Sequence, residues 1–311
     1  MKVLITGAAG FIGSHLVDSF LELGNEVIGI DDLSTGSTAN LEHLARNSNF
    51  EFVHHDVTEE FAFDADFILN FACPASPIHY QKTPIKTLRT SFLGTLNSLE
   101  LARKLNIPFI QASTSEVYGD PEVSPQSENY LGAVNPIGPR ACYDEGKRAA
   151  ETAIFDYIRE FSLDARVVRI FNTYGPRMSP NDGRVVSNFL VAALKNEPIT
   201  IYGNGLQTRS FCYVSDTVDA IIKLSQLETK PSTPINIGNP NEMTMLQLAE
   251  SVIGRTNSKS EIVFLPLPQD DPKQRCPDIS LANDLLAWKP QVSFADGITK
   301  TLDYFKGAIS L

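Results

Sequence analysis

The stretch that most restricts this chain lies at its start. Residues 2–6 form an apolar run of strand length that breaks at Gly7. Gly7-Ala8-Ala9-Gly10-Phe11-Ile12-Gly13 then leads into a helical pattern over residues 10–23. Glycines at that spacing let the backbone turn tightly and approach a ligand closely. The helix that follows presents free N–H groups and the positive end of its dipole, which suits a diphosphate. Strand, glycine turn and helix in that order predict a dinucleotide site held by Gly7, Gly10, Phe11, Ile12 and Gly13. Asp31 follows Gly13 by 18 residues and ends the next strand pattern. A carboxylate there accepts hydrogen bonds from ribose hydroxyls and repels a 2′-phosphate, so the expected cofactor is NAD and not NADP. Asp56 and Val57, at the end of a third strand pattern, either contact the adenine or form a turn.

Strand patterns recur at residues 2–6, 26–30, 51–53, 67–71, 109–112 and 166–171, and helical patterns at 10–23, 84–105 and 143–161. Short apolar strands alternating with helices imply parallel strands joined by right-handed crossovers. The expected fold class is α/β, a doubly wound parallel sheet of the Rossmann kind. Beyond Asn172 the texture changes. Gly175, Pro176, Pro180 and Gly183 mark a loop, and shorter elements follow: helices at 185–195 and from Ser215-Asp216, strands at 199–202 and 235–237. Thr244 is placed to cap a helix over 244–252. We expect a dinucleotide-binding domain over residues 1–171 and a smaller α+β substrate lobe over 172–311, with room for some strands and helices of the second to return to the first.

Charge and composition exclude several partners. Asp and Glu outnumber Lys and Arg 37 to 26, a formal charge of −11, which is wrong for gripping a nucleic-acid backbone. A local basic pocket can still take an anion. No apolar run approaches the ~20 residues of a membrane span, and the apolar start is too short for a signal peptide. Cys73, Cys142, Cys212 and Cys276 are scattered, and all five histidines precede residue 80. His54 and His55 point to opposite faces of a strand, so no metal site is expected. Reduced thiols fit a cytoplasmic protein.

Tyr143 and Lys147 stand four apart at the start of a helical pattern and share one face. An ammonium beside a phenol favours phenolate, which makes tyrosine usable as a base near neutral pH. With the glycine turn, this pair resembles the extended short-chain dehydrogenase/reductase superfamily of nucleotide-sugar epimerases, dehydratases and decarboxylases, over essentially the whole chain. The resemblance implies that Tyr143 and Lys147 also contact the dinucleotide. It implies that Thr114, within Ala112-Ser113-Thr114-Ser115-Glu116-Val117-Tyr118-Gly119, holds the sugar's 4-hydroxyl. Further segments are similar to the UDP-glucuronate decarboxylases: residues 72–77 with His79-Tyr80, 135–140 running into 143–148, 169–177, 207–211, and Asp270-Asp271-Pro272-Lys273. The 4,6-dehydratases carry Thr-Asp-Glu where this chain has Thr114-Ser115-Glu116, and serine is too weak an acid to expel water.

The resemblance therefore implies NAD-dependent decarboxylation of UDP-glucuronate to UDP-xylose, by oxidation at C4, loss of CO2 from the 4-keto acid and re-reduction. Glu116 and Arg275 are expected beside the carboxylate. Ser115, Asn172, Arg209 and Arg275 are expected to bind substrate, the middle two at its diphosphate. Arg275 otherwise reads as a surface arginine paired with Asp270 or Asp271, and Tyr80 either lines the sugar pocket or packs as an ordinary aromatic. Ser91 departs from the family, which more often has asparagine there. The superfamily usually pairs through two long helices, here near 88–104 and 145–161, which implies a homodimer. A nucleotide-sugar 4-epimerase or a dTDP-glucose 4,6-dehydratase would share the C4 oxidation but release no CO2. A non-catalytic NAD-sensing protein would have no need of Tyr143 and Lys147.

Overall fold

Short, nearly continuous apolar runs, whose successive side chains point to opposite faces, define the centre of the molecule, and helices with apolar stripes cover both its faces. The computed structural model describes residues 1–267 and 274–309. The first part runs β1 (Lys2–Thr6), α1 (Phe11–Glu22), β2 (Glu26–Asp31), β3 (Phe50–His54), β4 (Phe67–Asn70), α2 (Pro77–Lys82), α3 (Pro84–Leu105), β5 (Phe109–Thr114), α4 (Ala141–Phe161) and β6 (Ala165–Ile170). The second adds β7 (Thr173–Tyr174), α5 (Val185–Lys195), β8 (Ile199–Tyr202), β9 (Thr208–Ser210), β10 (Cys212–Tyr213), α6 (Val214–Ser225) and β11 (Ile235–Ile237). It ends with β12 (Glu242–Thr244), α7 (Met245–Thr256), β13 (Ile262–Leu265), β14 (Gln274–Arg275), α8 (Ser280–Leu286) and α9 (Phe294–Ala308).

Seven strands form one sheet in the order β3-β2-β1-β4-β5-β6-β11, every neighbouring pair parallel. This is the expected doubly wound architecture. Alternation along β1 sends Val3 and Ile5 to one core, with Leu16, Val17 and Phe20 of α1 and Ile221 and Leu224 of α6. It sends Leu4 to the other, with Leu99 and Ala102 of α3 and Ile154 of α4. Burial of each such side chain contributes roughly 1.5–3 kcal/mol, so a parallel sheet covered on both faces is the stable outcome for these runs. The strand order reverses between β1 and β4, and a crevice opens there at the carboxyl ends of the strands, where open α/β sheets bind ligands.

The chain after residue 172 is partly woven back. β11 pairs with β6 at the sheet's edge, and α6 packs on α1. Helices α5, α7 and α9 pack together beside the parallel β8–β13 pair, and β9 lies between β12 and β14 in a small mixed sheet. Some boundaries differ from expectation. β5 runs past residue 112 because Ser113 and Thr114 stay in register with Arg169 and Ile170 of β6. Helix α7 begins as expected with Thr244 as its cap, in a reciprocal capping box with Gln247. It runs on to Thr256, until Asn257 takes a left-handed φ of 51°.

Candidate active site

The glycine turn after β1 is shaped by close approach. Gly7 has φ +70°, and a Cβ there would lie 2.7 Å from the Phe71 carbonyl group. A Cβ on Gly13 would lie 2.0 Å from the Gly7 oxygen. Helix α1 starts with Gly10 as its N-cap, without a side-chain cap and without an acidic residue in its first turn. Its first N–H groups are thus left for an anion. Asp31 ends β2 and ties it to the turn: its carboxylate accepts from the Ala9 N–H at 3.0 Å and the Leu33 N–H at 2.8 Å. Burial pushes its pKa up, against those two amide bonds. Gly36 gives this carboxylate room, since a Cβ there would stand 2.9 Å from both oxygens.

A cavity of about 870 Å³ extends from this turn across the ends of the strands. Gly7, Gly10, Phe11, Ile12, Gly13, Asp31 and Val57 line it, as do Thr114, Ser115, Glu116, Tyr143, Lys147, Asn172, Arg209 and Arg275. Asp56 and Tyr80, two residues expected in the site, do not. Asp56 makes the turn, its Oδ1 accepting from the Thr58 N–H at 2.9 Å, with Lys86 at 3.8 Å from its other oxygen. Tyr80 is 1% exposed and stacks behind Tyr143, with ring centroids 5.1 Å apart and planes 1° from parallel. Its ring therefore supports the Tyr143 ring rather than lining the sugar pocket.

Thr114 ends β5, and Tyr143 and Lys147 face it from the first turns of α4. Lys147 Nζ donates to the Ala112 carbonyl at 2.7 Å and lies 5.9 Å from the centre of the Tyr143 ring. The expected lowering of the phenol's pKa is not what the surroundings give. Burial pushes Tyr143 far up and the Cys73 thiol adds to it, while the Thr114 hydroxyl and Arg184 pull the other way. Lys147 is pushed down by burial, against Cys73 and Glu151. Both charges are desolvated, and at this depth that outweighs their neighbours. Ser91 packs where a Gly146 Cβ would come within 2.9 Å, and its hydroxyl meets the Cys73 sulfur at 3.0 Å.

Beside the Thr/Tyr/Lys group sits a buried carboxylate held by two arginines. After β5 the chain makes a short 3₁₀ turn, Ser115–Tyr118, capped by the Thr114 hydroxyl on the Glu116 N–H at 3.2 Å. This turn aims Glu116 at Arg140, 2.6 Å away, and at Arg275, which also binds it at 3.1 Å through Nη2. Burial works to raise the Glu116 pKa, but Arg275 and Arg140 outweigh it and hold the carboxyl at about 2. Arg275 is 3% exposed, so it is no surface arginine. Asp270 and Asp271, its other expected partners, and the rest of the segment to Lys273 lie outside the described residues. Arg275 on β14 is in register with Arg209 on β9, so one small sheet delivers both guanidinium groups.

Several residues at the site were not foreseen. Arg140 stands one helical turn before Tyr143, and that spacing could have flagged it. Asp144 follows Tyr143; it is buried and its Oδ1 has no hydrogen-bond partner. Burial first, then Glu116, push its pKa up to about 8, against Arg140 and Arg275. Arg177 and Arg184 reach the cavity from the loop before α5. Arg184 lies 6.0 Å from the centre of the Phe11 ring. Arg177 ends the 169–177 segment noted above but was given no role there, and no local pattern marks Arg184; the loop's path brings both in.

Comparison with known proteins gives a consistent result. The GDP-mannose 4,6 dehydratase family model matches residues 4–301. UDP-glucuronic acid decarboxylase 1 of Danio rerio is 51% identical over 304 residues, 98% of this chain and 72% of that protein. UDP-glucuronic acid decarboxylase 3 of Arabidopsis thaliana is 52% identical over 299 residues, 96% of this chain and 87% of that protein. Among solved structures, a UDP-glucuronic acid 4-epimerase from Bacillus cereus, in complex with UDP-glucuronic acid and NAD, superposes with a TM-score of 0.89 at 30% identity, covering 99% of both chains.

Proposed function

The chain belongs to the GDP-mannose 4,6-dehydratase family, within the extended short-chain dehydrogenases/reductases, and on that premise we propose that it converts UDP-glucuronate to UDP-xylose and CO2 with NAD. The observation that carries the reading is the 51% identity to a UDP-glucuronic acid decarboxylase over 98% of the chain. The cavity's charge supports it. Arg140, Lys147, Arg177, Arg184, Arg209 and Arg275 line it against Asp31, Asp32, Glu116 and Asp182, in a chain of formal charge −11. That excess of cations suits a nucleotide sugar bearing a carboxylate.

The residues fit the cofactor. The uncapped start of α1 suits a diphosphate, and Asp31, already fixed by two amides, suits the adenosine ribose. When bound, NAD supplies a reversible two-electron acceptor for sugar C4. Tyr143 takes the proton of the 4-hydroxyl and Thr114 holds that oxygen. Lys147 and Arg184 are the nearby cations that favour phenolate against its burial. Once C4 is a ketone, the carboxylate on C5 is β to it. CO2 then leaves with its bonding electrons delocalised towards O4, where the protonated Tyr143 and Thr114 donate hydrogen bonds in a buried setting. Arg275, aimed by Glu116, faces the carboxylate, and Asn172 and Arg209 hold the substrate's diphosphate. Ser115 lies near the sugar and offers no acid for expelling water. One proton enters at C5 for every CO2 lost.

Residues 1–171 thus serve chiefly the dinucleotide and 172–311 the nucleotide sugar. The protein works as a homodimer in the cytoplasm, where cell fractionation would find it; among the described residues no helix is long and apolar enough to cross a membrane. A second reading, 4-epimerisation of UDP-glucuronate, is favoured by the likeness to the Bacillus cereus enzyme. Purified protein given UDP-glucuronate should release one CO2 per UDP-xylose formed, and Tyr143→Phe should slow this by about 100-fold or more. UDP-galacturonate formed with no CO2 would refute decarboxylation and support the second reading.

A further inference from the structure

Residues 175–184, between β7 and α5, form one wall of the cavity and are fastened at both ends of their span. On one side they are pinned to α1, the helix that starts at the glycine turn. Pro176 O meets His15 Nε2 at 3.0 Å, and Arg177 Nη2 binds Asp18 Oδ2 at 2.6 Å. His15 and Asp18 are one turn apart, so α1 presents them together. His43 holds the other oxygen of Asp18 at 2.7 Å. Near the other end of the span the Ser76 hydroxyl donates to the Asp182 carbonyl, and Gly183 passes so close to Ile78 that a Cβ would lie 2.2 Å from its Cδ1.

Arg177 shows that this path is imposed on the chain. It is not a glycine, yet its φ is +67°, and its Nη1 is buried without a partner. Strain of that kind persists only where surrounding contacts over-determine it. The contacts beside it are the ion pair to Asp18 and the Pro176–His15 hydrogen bond. Neither Asp18 nor Ser76 has a part in the chemistry proposed above.

We propose that Arg177 is a positioning residue that, through Asp18, fastens residues 175–184 as a strap retaining the dinucleotide throughout a turnover. The inference rests on the proposed function, in which NAD is used and restored within each cycle. A cofactor that left between the two halves would strand a 4-keto sugar, so retention serves the reaction. The fastenings at Asp18 and Ser76 are separate from Thr114, Tyr143 and Lys147, although Arg184 at the strap's end does act on Tyr143.

The test is the rate at which NADH leaves the loaded protein, read by the loss of its enhanced fluorescence on mixing with excess NAD, with no sugar present. Asp18→Asn, which removes the charge from the Arg177 pair, should speed release by about tenfold or more. At saturating NAD its kcat should stay within twofold of the parent. Ser76→Ala cuts the opposite fastening and should also speed release, which decides the matter should Asp18→Asn not fold. Asp18→Asn combined with Arg177→Gln should be no faster than either alone, because both remove one bond. Release within twofold of the parent in both Asp18→Asn and Ser76→Ala would overturn the strap. Because the readout needs no substrate, a failure to release CO2 from UDP-glucuronate would count against the proposed reaction alone.

Discussion

Asp144 sits one residue after the proposed base, and the fold gives its carboxyl little support. Glu116, Arg140, Arg275 and Glu145 all act on it, burial dominates, and its pKa stands at about 8, against ~3.9 in an unfolded chain. Between those values the folded state holds a proton that the unfolded state has lost, so stability falls as pH rises. The contribution is complete below the unfolded pKa and gone once pH passes through the folded one. Asp144→Asn removes that dependence. Its Tm relative to the parent should therefore climb between pH 5 and pH 9, measured by calorimetry; a constant difference would contradict the buried, protonated carboxyl. Tyr143 and Lys147 were legible as a pair because helix period alone puts them on one face. The direction of the phenol's shift was not. It depends on burial among Tyr80, Cys73 and Thr114, which three other segments of the chain bring in. Tyr80 illustrates the same limit: its identity offered a pocket wall or a packing ring, and only its place behind Tyr143 decides.

At the scale of elements, α3 was legible to both ends, since Pro84 starts it and Asn106 closes it with a left-handed φ of 54°. The 3₁₀ turn over Ser115–Tyr118 was not. It needs β5 to stay paired to β6 as far as Thr114, a contact between distant parts of the chain, and without it Glu116 would not meet Arg275. Helix α3 also carries an apolar stripe that the chain's two main cores do not absorb. Leu88 is 41% exposed, and Phe92 and Leu96, one and two turns on, are half-buried. Together with the neighbouring face of α4 this stripe suits a symmetric contact with a second copy, as a self-complementary patch must. Sedimentation should give twice the 34.2 kDa of one chain, and Phe92→Asp should halve it. A monomer before substitution would exclude the pairing.

At the scale of the whole molecule, the doubly wound parallel sheet followed from alternating strand and helix patterns, and a return of later elements to it was allowed for, but neither the strand order nor β11 as the returning strand was marked. Three residues of apolar strand carry no mark of which partner they will find. The overall charge hid the site in a similar way. A formal −11 sums the whole chain and says nothing of where charges gather, whereas the cations of the cavity are assembled from β5–α4, the strap, β9 and β14. What this assembly is proposed to do is draw two electrons from a sugar carbon, let CO2 leave its neighbour, and put the same electrons back. The most direct test follows an isotope at that carbon. With UDP-glucuronate deuterated at C4 and NAD present in less than equimolar amount, the UDP-xylose formed should keep the deuterium at C4 and carry one new solvent hydrogen at C5. Deuterium lost from C4, or a product that retains its carboxyl carbon, would contradict the proposed chemistry.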